Sequence, residues 1–279
     1  MTTDEKQRVR LVSTVEDDAE QRMRRMSRRS FFQGAVGVAF VLGARHWIDT
    51  RRMRQELPWP LRRALQVNEE IWHDFASTGH LAPTFHPSAI GHARTNGDVG
   101  LDNMQDIASW RLKVRGLDTS NGDPDSRDFT LNEIKALPAY TIITQFKCIE
   151  GWSYVMSWRG ARLADFMAKY SPALKTDDNG NPLPPVHGVP AYPDFVAMST
   201  PDKQYYVGLD MQSARHPQTL LCYEMNGRPL TQEHGAPLRL IIPVKYGVKN
   251  IKRIGHIHYT NRRPADYWAE QGYDWYAEL

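Results

Sequence analysis

After residue 193 the chain runs through one strand-type segment after another, with little helix between them. DFVAMS (194–199), QYYVGL (204–209), TLLCYEMNGRPL (219–230), LRLIIPV (238–244) and IKRIGHIHYT (251–260) are all rich in β-branched and aromatic residues. Asn226-Gly227 inside the third is a strong short hairpin signal, because both residues accept the positive φ of a two-residue turn. A parallel, doubly wound sheet needs a helix after nearly every strand, and no such rhythm exists here. The pattern predicts an α+β fold with mixed sheets, rich in strands and poor in helices. Upstream, WRLKVRGL (110–117) alternates like a strand, and AYTIITQFKCI (139–149) reads as a buried strand ending at Cys148. Helices are predicted within 45–80, over 130–137 behind a Thr130/Glu133 capping box, and over 162–170. Residues 81–109 read as an ordered loop and 175–193 as a Pro/Gly-rich excursion.

The first 44 residues carry a different message. RRMSRRSFFQ (24–33) leads into GAVGVAFVLGA (34–44), which is the pattern of a twin-arginine export leader. The apolar run of about 14 residues is short for a bilayer span. Acids at Glu16, Asp17, Asp18 and Glu20 lengthen the region before it, and no clean Ala-x-Ala site follows. The expected organisation is a leader over 1–44, a helical segment over 45–80 and one larger domain over 81–279. The expected route is the twin-arginine translocase, and the expected place is the periplasm, with the leader able to remain as an anchor. A net charge of +3 over 279 residues is too mild to argue for nucleic acid, and two cysteines exclude a disulfide framework.

One of those cysteines lies in TQFKCIEGWSYVMSW (144–158), between Lys147 and Glu150 and close to two tryptophans. A buried cysteine can simply be a small hydrophobe. It can also be a nucleophile served by a histidine such as His92 or His234. The third possibility is a single thiolate ligand to a soft metal whose other ligands come from a cofactor. The C-terminal half adds His234, Arg239, Lys245, Lys249, Lys252 and Arg253 near turns, with Gly235 and Gly247 permitting close backbone approach. Such a cluster suits a large anionic ligand. There is no Walker A loop, dinucleotide fingerprint, C-x-x-C or H-E-x-x-H. His256 and His258 would share a strand face, without a third ligand nearby.

CIEGWS (148–153), LLCYEMNGRPLTQEHGAPLRLIIP (220–243) and VKNIKRI (248–254), taken in order, resemble the molybdopterin-binding domain of the sulfite oxidase family. The leader makes the chain more similar to the family's bacterial periplasmic branch, which includes the catalytic subunit of periplasmic methionine sulfoxide reductase. The resemblance covers roughly 80–270, and RPADYWAEQGYDWY (263–276) shares in it. It implies a molybdenum–molybdopterin cofactor with Cys148 as metal ligand. It implies that His234, Arg239, Asn250 and Lys252 hold the phosphate and pterin, with Thr200 as a further contact and Arg94 and Asn96 as the N-terminal ones. Tyr205 resembles the family's substrate-pocket tyrosine, and Glu150 an acid close to the metal that relays a proton.

The sequence also departs from the pattern. The substrate arginine that follows the metal cysteine in sulfite-oxidising members is absent, since IEGWSYVMSW has no cation before Arg159. The sulfoxide-reducing branch has Asn at the place of His234. Neither the dimerisation domain nor a haem domain is expected. The chain should therefore be a monomer that exchanges electrons with a cytochrome or a membrane haem protein while acting on a small, sulfite- or sulfoxide-like substrate. A metal-free cysteine enzyme and a non-catalytic binding protein on the same scaffold are the competing expectations.

Overall fold

A computed structural model describes residues 30–54, 57–75, 79–101, 106–120, 122 and 124–279. Arg24, Arg25, Arg28 and Arg29 of the export pattern lie outside the described residues. The chain divides into two compact units, Met1–Ala64 and Leu65–Leu279.

In the first unit a helix, α1, runs over 30–49. Most of its large apolar side chains, Phe31, Phe32 and Phe40 among them, are exposed. No helix among the described residues is long and apolar enough to cross a membrane. The expected helix over 45–80 is interrupted by the two-residue strands β1 (Met53–Arg54) and β2 (Leu57–Pro58), which pair antiparallel. Helix resumes as α2 (Trp59–Phe75), with Pro60 in its first turn, where a missing N–H costs nothing. Leu61, Leu65 and Trp72 have helical spacing but are exposed, so here the periodicity does not mark a core face.

The second unit holds two five-stranded sheets. In chain order its elements are β3 (Leu112–Arg115), β4 (Ser126–Phe129), α3 (Leu131–Lys135), β5 (Ala139–Lys147), β6 (Ser153–Arg162), α4 (Leu163–Lys169), β7 (Phe195–Ser199), β8 (Tyr206–Asp210), α5 (Met211–Ala214), β9 (Leu220–Met225), β10 (Arg228–Pro229), β11 (Arg239–Ile241), β12 (His256–Thr260) and α6 (Tyr267–Glu270). One sheet has the order β10-β9-β6-β5, with β11 also on β9, and all its pairings are antiparallel. The other has the order β4-β3-β12-β7-β8 and is mixed, because β3 and β12 run parallel. This is the expected α+β class. The Thr130/Glu133 capping box forms as the sequence predicts, and Asn226-Gly227 turns β9 into β10 with both residues at positive φ.

Strand β9 explains the layering. Leu221 and Tyr223 face a large core shared with the mixed sheet, while Leu220 and Cys222 face a smaller cluster with Met156 and Trp158. A strand buried on both faces reads as a continuous apolar run, and LLCY does. Strand β6 went unpredicted because SYVMSWRGAR breaks strict alternation with the apolar run Tyr154-Val155-Met156 and with Gly160. It is nevertheless central, paired on both sides. Strand β5, expected to be buried, sits at the sheet edge, with only Thr144 fully enclosed, because β6 is the only strand it pairs with and its outer side meets just an isolated bridge at Thr84.

The register of β6 on β9 shifts between Arg159 and Gly160. A Cβ on Gly160 would come within 2.2 Å of the Leu221 carbonyl oxygen. Backbone of a central strand cannot move aside as a flexible side-chain tip can. Gly160→Ala is therefore expected to destabilise the domain by about 3 kcal/mol, the upper range for overpacking. A lowered urea midpoint at unchanged m would show this, and an unchanged midpoint would refute it.

Candidate functional site

Strands β5 and β6 meet at a tight turn, and Cys148 is its first residue. The Cys148 N–H donates to the Trp152 carbonyl (2.9 Å), and the Gly151 N–H donates back to the Cys148 carbonyl (3.1 Å). Gly151 takes φ +88°, which glycine adopts without a Cβ penalty. The turn leaves the thiol at the end of an antiparallel pair, 9% exposed. Burial pushes the Cys148 thiol above its ordinary pKa. The amides of Glu150 and Ile149 and the charge of Arg94 act the other way, while the Glu150 charge reinforces burial. The sulfur thus meets fixed N–H dipoles that favour a thiolate once something else offsets its burial.

The thiol opens into a cavity of about 170 Å³. One wall is aromatic. Phe146 lies directly across the strand pair from Tyr154, with ring centroids 5.1 Å apart and planes within 7°. Trp152 stacks beside Tyr154 at 5.6 Å. Trp268 and Tyr273, from the chain's last segment, close the other side and pack edge to face at 5.2 Å. A second, shallower groove of about 650 Å³ lies beside the Pro-rich excursion, away from these groups.

Cations line the remaining side. Arg239 enters from β11, only 1% exposed. It donates to the carbonyls of His234 (3.1 Å) and Asn250 (3.3 Å) and stacks 4.9 Å from the Trp158 ring. No acid pairs with it among the described residues, and its buried Nε has no hydrogen-bond partner. The Nε2 of His234 is likewise buried and unpartnered, while Nδ1 bonds the Thr231 hydroxyl (2.8 Å). Burial first, then the charges of Arg239 and Lys252, holds the His234 pKa below that of an ordinary imidazole. Burial first, then Arg239, pushes Lys252 down to about 8. Buried cations without counter-ions are costly. Orphaned donors, unbalanced positive charge and one soft thiol together fit an anionic cofactor carrying a sulfur-binding metal.

Nine of the residues singled out in the sequence line this one cavity: Cys148 and Glu150 on the turn, Arg94 and Asn96 on the preceding loop, Tyr205, His234 and Arg239, and Asn250 and Lys252. Thr200 does not line it. It is fully buried, donates to Asp202 (2.5 Å), and sits where a Cβ on Gly100 would strike it. Asn96 Nδ2 stands 4.0 Å from the Cys148 sulfur. Glu150 accepts from the Trp152 indole (2.8 Å). The Tyr205 hydroxyl donates to the Val248 carbonyl (2.6 Å), and burial raises its pKa far above that of a free phenol. Its proton is therefore committed to holding the 247–250 turn.

Lys245, Lys249 and Arg253, expected to serve the anionic ligand, do not line the cavity. Lys245 meets Asp210 (3.3 Å) and Glu278 (3.4 Å), Lys249 meets Asp266 (2.5 Å), and Arg253 bonds the Gln232 amide oxygen (2.6 Å). His256 bonds Ser199 and the Thr200 carbonyl, and no cluster of His, Cys, Asp or Glu that could hold a metal occurs among the described residues. Lys249 and Asp266 are 1% and 3% exposed at their side chains. Removing one member strands a buried charge, so Lys249→Met is expected to cost about 3–5 kcal/mol. Equilibrium urea denaturation measures it, and a loss below 1 kcal/mol would show the pair to be dispensable.

A family profile described as "Oxidoreductase molybdopterin binding domain" matches residues 99–268. The chain belongs to this family. Its members are oxidoreductases that bind molybdopterin, so the chain is a molybdenum cofactor-dependent oxidoreductase of the sulfite oxidase type. Among relatives of this molybdopterin-binding chain is the Azospira oryzae subunit YedZ1, whose name provisionally assigns it to a protein-methionine-sulfoxide reductase. It is 33% identical over 70% of this chain and 67% of its own length. The protein-methionine-sulfoxide reductase catalytic subunit MsrP of Xanthomonas campestris is 30% identical over 59% of this chain and 49% of its own. The chain thus spans about half the length of that relative. The sulfane dehydrogenase SoxCD of Paracoccus pantotrophus superposes with a TM-score of 0.46 at 17% identity, over 58% of this chain and 40% of that one.

Sequence reasoning singled out Tyr205 and noted tryptophans near the thiol, but it did not assign Phe146, Trp152, Tyr154, Trp268 and Tyr273 to the cavity. Phe146, Trp152 and Tyr154 were readable only once the β5–β6 register was known, since a one-residue slip would send their side chains to the other face. Trp268 and Tyr273 lie more than a hundred residues from the thiol, and no spacing rule connects them to it.

Proposed function

We propose that the protein reduces an organic sulfoxide to the thioether, with molybdenum held by the Cys148 thiolate. The observation that carries this is the cavity itself, whose lining brings the Cys148 thiol together with cations and with the stacked rings of Phe146, Trp152 and Tyr154. A thioether sulfur and its alkyl groups pack favourably on aromatic rings, whereas sulfite is a compact, strongly hydrated anion that gains little from them. The stretch after Cys148 has no cation to receive sulfite, and the relatives' names point to methionine sulfoxide.

Arg239, Lys252, His234 and Asn250 would hold the anionic and heterocyclic parts of the cofactor, which supplies the two-electron redox chemistry when bound. Reduction of a sulfoxide consumes two electrons and two protons and yields a thioether and water. Glu150, at the cavity and already oriented by the Trp152 indole, would pass protons inward. The aromatic wall would exclude bulk water. Electrons would come one at a time from a protein partner, a cytochrome or membrane haem protein. We place the enzyme in the periplasm, exported folded through the twin-arginine route. The helix over 30–49 would be part of the leader and could hold the enzyme at the membrane if retained.

The test is elemental analysis of holoprotein purified from the periplasmic fraction, followed by dye-linked assays with methionine sulfoxide and with sulfite. Stoichiometric molybdenum with sulfoxide turnover is the expected result. Sulfite oxidation without sulfoxide reduction would overturn the substrate assignment, and turnover by metal-free protein would favour a cysteine enzyme instead.

A further inference from the structure

Helix α2 docks on the protein by its polar side. Glu69 accepts hydrogen bonds from the Arg263 guanidinium and from the Trp275 N–H (3.4 Å). One turn on, His73 stacks on the Tyr276 ring, with centroids 3.7 Å apart and planes within 9°, and its Nδ1 bonds the Glu278 carboxylate (3.1 Å). These contacts fix the rotation of the helix about its own axis. Leu65, Val67, Ile71 and Trp72 are consequently turned outward, 37–54% exposed. Leu65 and Trp72 are two turns apart and Val67 and Ile71 one turn, so they make two ridges of one broad apolar side. A helix of a globular protein ordinarily buries that side and exposes the polar one. The chain just upstream is basic. Residues 45–63 hold six arginines against two acids, and Arg51 and Arg52 are exposed.

We infer that the outward side of α2 lies on an anionic membrane surface, with Leu65, Val67, Ile71 and Trp72 among the headgroups and upper acyl chains and the upstream arginines on lipid phosphates. Aliphatic side chains and an indole suit the boundary between headgroups and hydrocarbon, and a basic flank suits anionic lipid. The helix lies in the plane of the surface, since no helix among the described residues is long and apolar enough to cross a bilayer. A second copy of the chain is a poorer occupant, because it would bring two arginine-rich stretches together. The face begins beyond residue 44, where the leader reading ends, so attachment through it outlasts removal of the leader. It holds whichever substrate the cavity takes.

The experiment places a nitroxide label on full-length protein carrying Ile71→Cys or, as a control on the Pro/Gly-rich excursion, Asn179→Cys. Parent protein treated in the same way reports any label taken up by Cys148. Because the chain can also attach through the exposed apolar side chains of α1, the depth of position 71 decides the matter, and vesicle binding alone does not. Electron paramagnetic resonance with power saturation compares access of dissolved oxygen and of an aqueous nickel chelate. On phosphatidylglycerol vesicles the label at 71 is expected to lose chelate access and gain oxygen access, while the label at 179 stays open to the chelate. Adding Leu65→Gln and Trp72→Gln should return position 71 to the chelate, with the urea midpoint unchanged. A label at 71 that stays open to the chelate on bound vesicles would leave attachment to α1 and overturn the inference. Equal protection on phosphatidylcholine vesicles would overturn it too. So would protection of position 71 without vesicles together with dimers in sedimentation, which would make the face a contact between copies.

Discussion

Cys148→Ser is expected to lower sulfoxide reduction by at least about a hundredfold, because disturbing only the groups around a metal's ligands already costs 10–100-fold. Serine is nearly isosteric at this 9% exposed position, so the turn that ends β5 should survive. The Cys148–Trp152 and Gly151–Cys148 hydrogen bonds are made by backbone and do not depend on sulfur. The change is in the donor: a hard hydroxyl, protonated at neutral pH, replaces a soft thiol that a bound metal would hold ionised. The organic cofactor is anchored elsewhere, so molybdenum should remain in the purified variant in substantial amount. Its paramagnetic signal should shift as a sulfur ligand is lost. Electron paramagnetic resonance and activity on the same sample check both points. A serine variant with parental turnover and an unaltered signal would remove Cys148 from the metal.

Arg239→Met should separate cofactor retention from stability, with opposite signs. In cofactor-free protein Arg239 is an enclosed charge with carbonyl partners, an unpartnered Nε and no acid paired with it among the described residues. Desolvation holds its pKa below the guanidinium norm. Methionine fills similar volume beside Trp158 and Phe146 without that electrostatic cost. The apo variant is therefore expected to unfold at the same or a higher denaturant concentration than apo parent. The loaded protein should behave oppositely. Loss of charge-assisted hydrogen bonds worth about 1.5–3 kcal/mol should weaken cofactor retention by roughly 10–150-fold. Molybdenum content after dialysis and urea midpoints of both forms are the measurements. A variant that keeps its molybdenum while its apo form is strongly destabilised would make Arg239 a structural residue.

The sequence alone determined the class of fold. Local signals were strong where one residue's conformational preference decides the outcome. Asn226-Gly227 made its hairpin, Thr130 and Glu133 capped α3, and the doubly apolar β9 lay between two cores. It also determined the chemical inventory of the cavity, because a lone thiol and a run of cations are visible as residue types. Tertiary structure alone decided which of those groups act together. Lys249 and Lys252 stand three apart, yet one turns inward to Asp266 and the other faces the cavity. The difference lies in how one turn is packed, and charge patterning is blind to that. Likewise, β6 could not be recognised from its mixed sequence. Once paired in register with β5, it placed Tyr154 opposite Phe146 and Trp152 beside them, while Arg94 and Trp268 arrived from distant segments. A sequence states which side chains a chain possesses, but strand register and long-range packing determine which of them share one low-dielectric space, and only there do their charges and rings act on a common ligand.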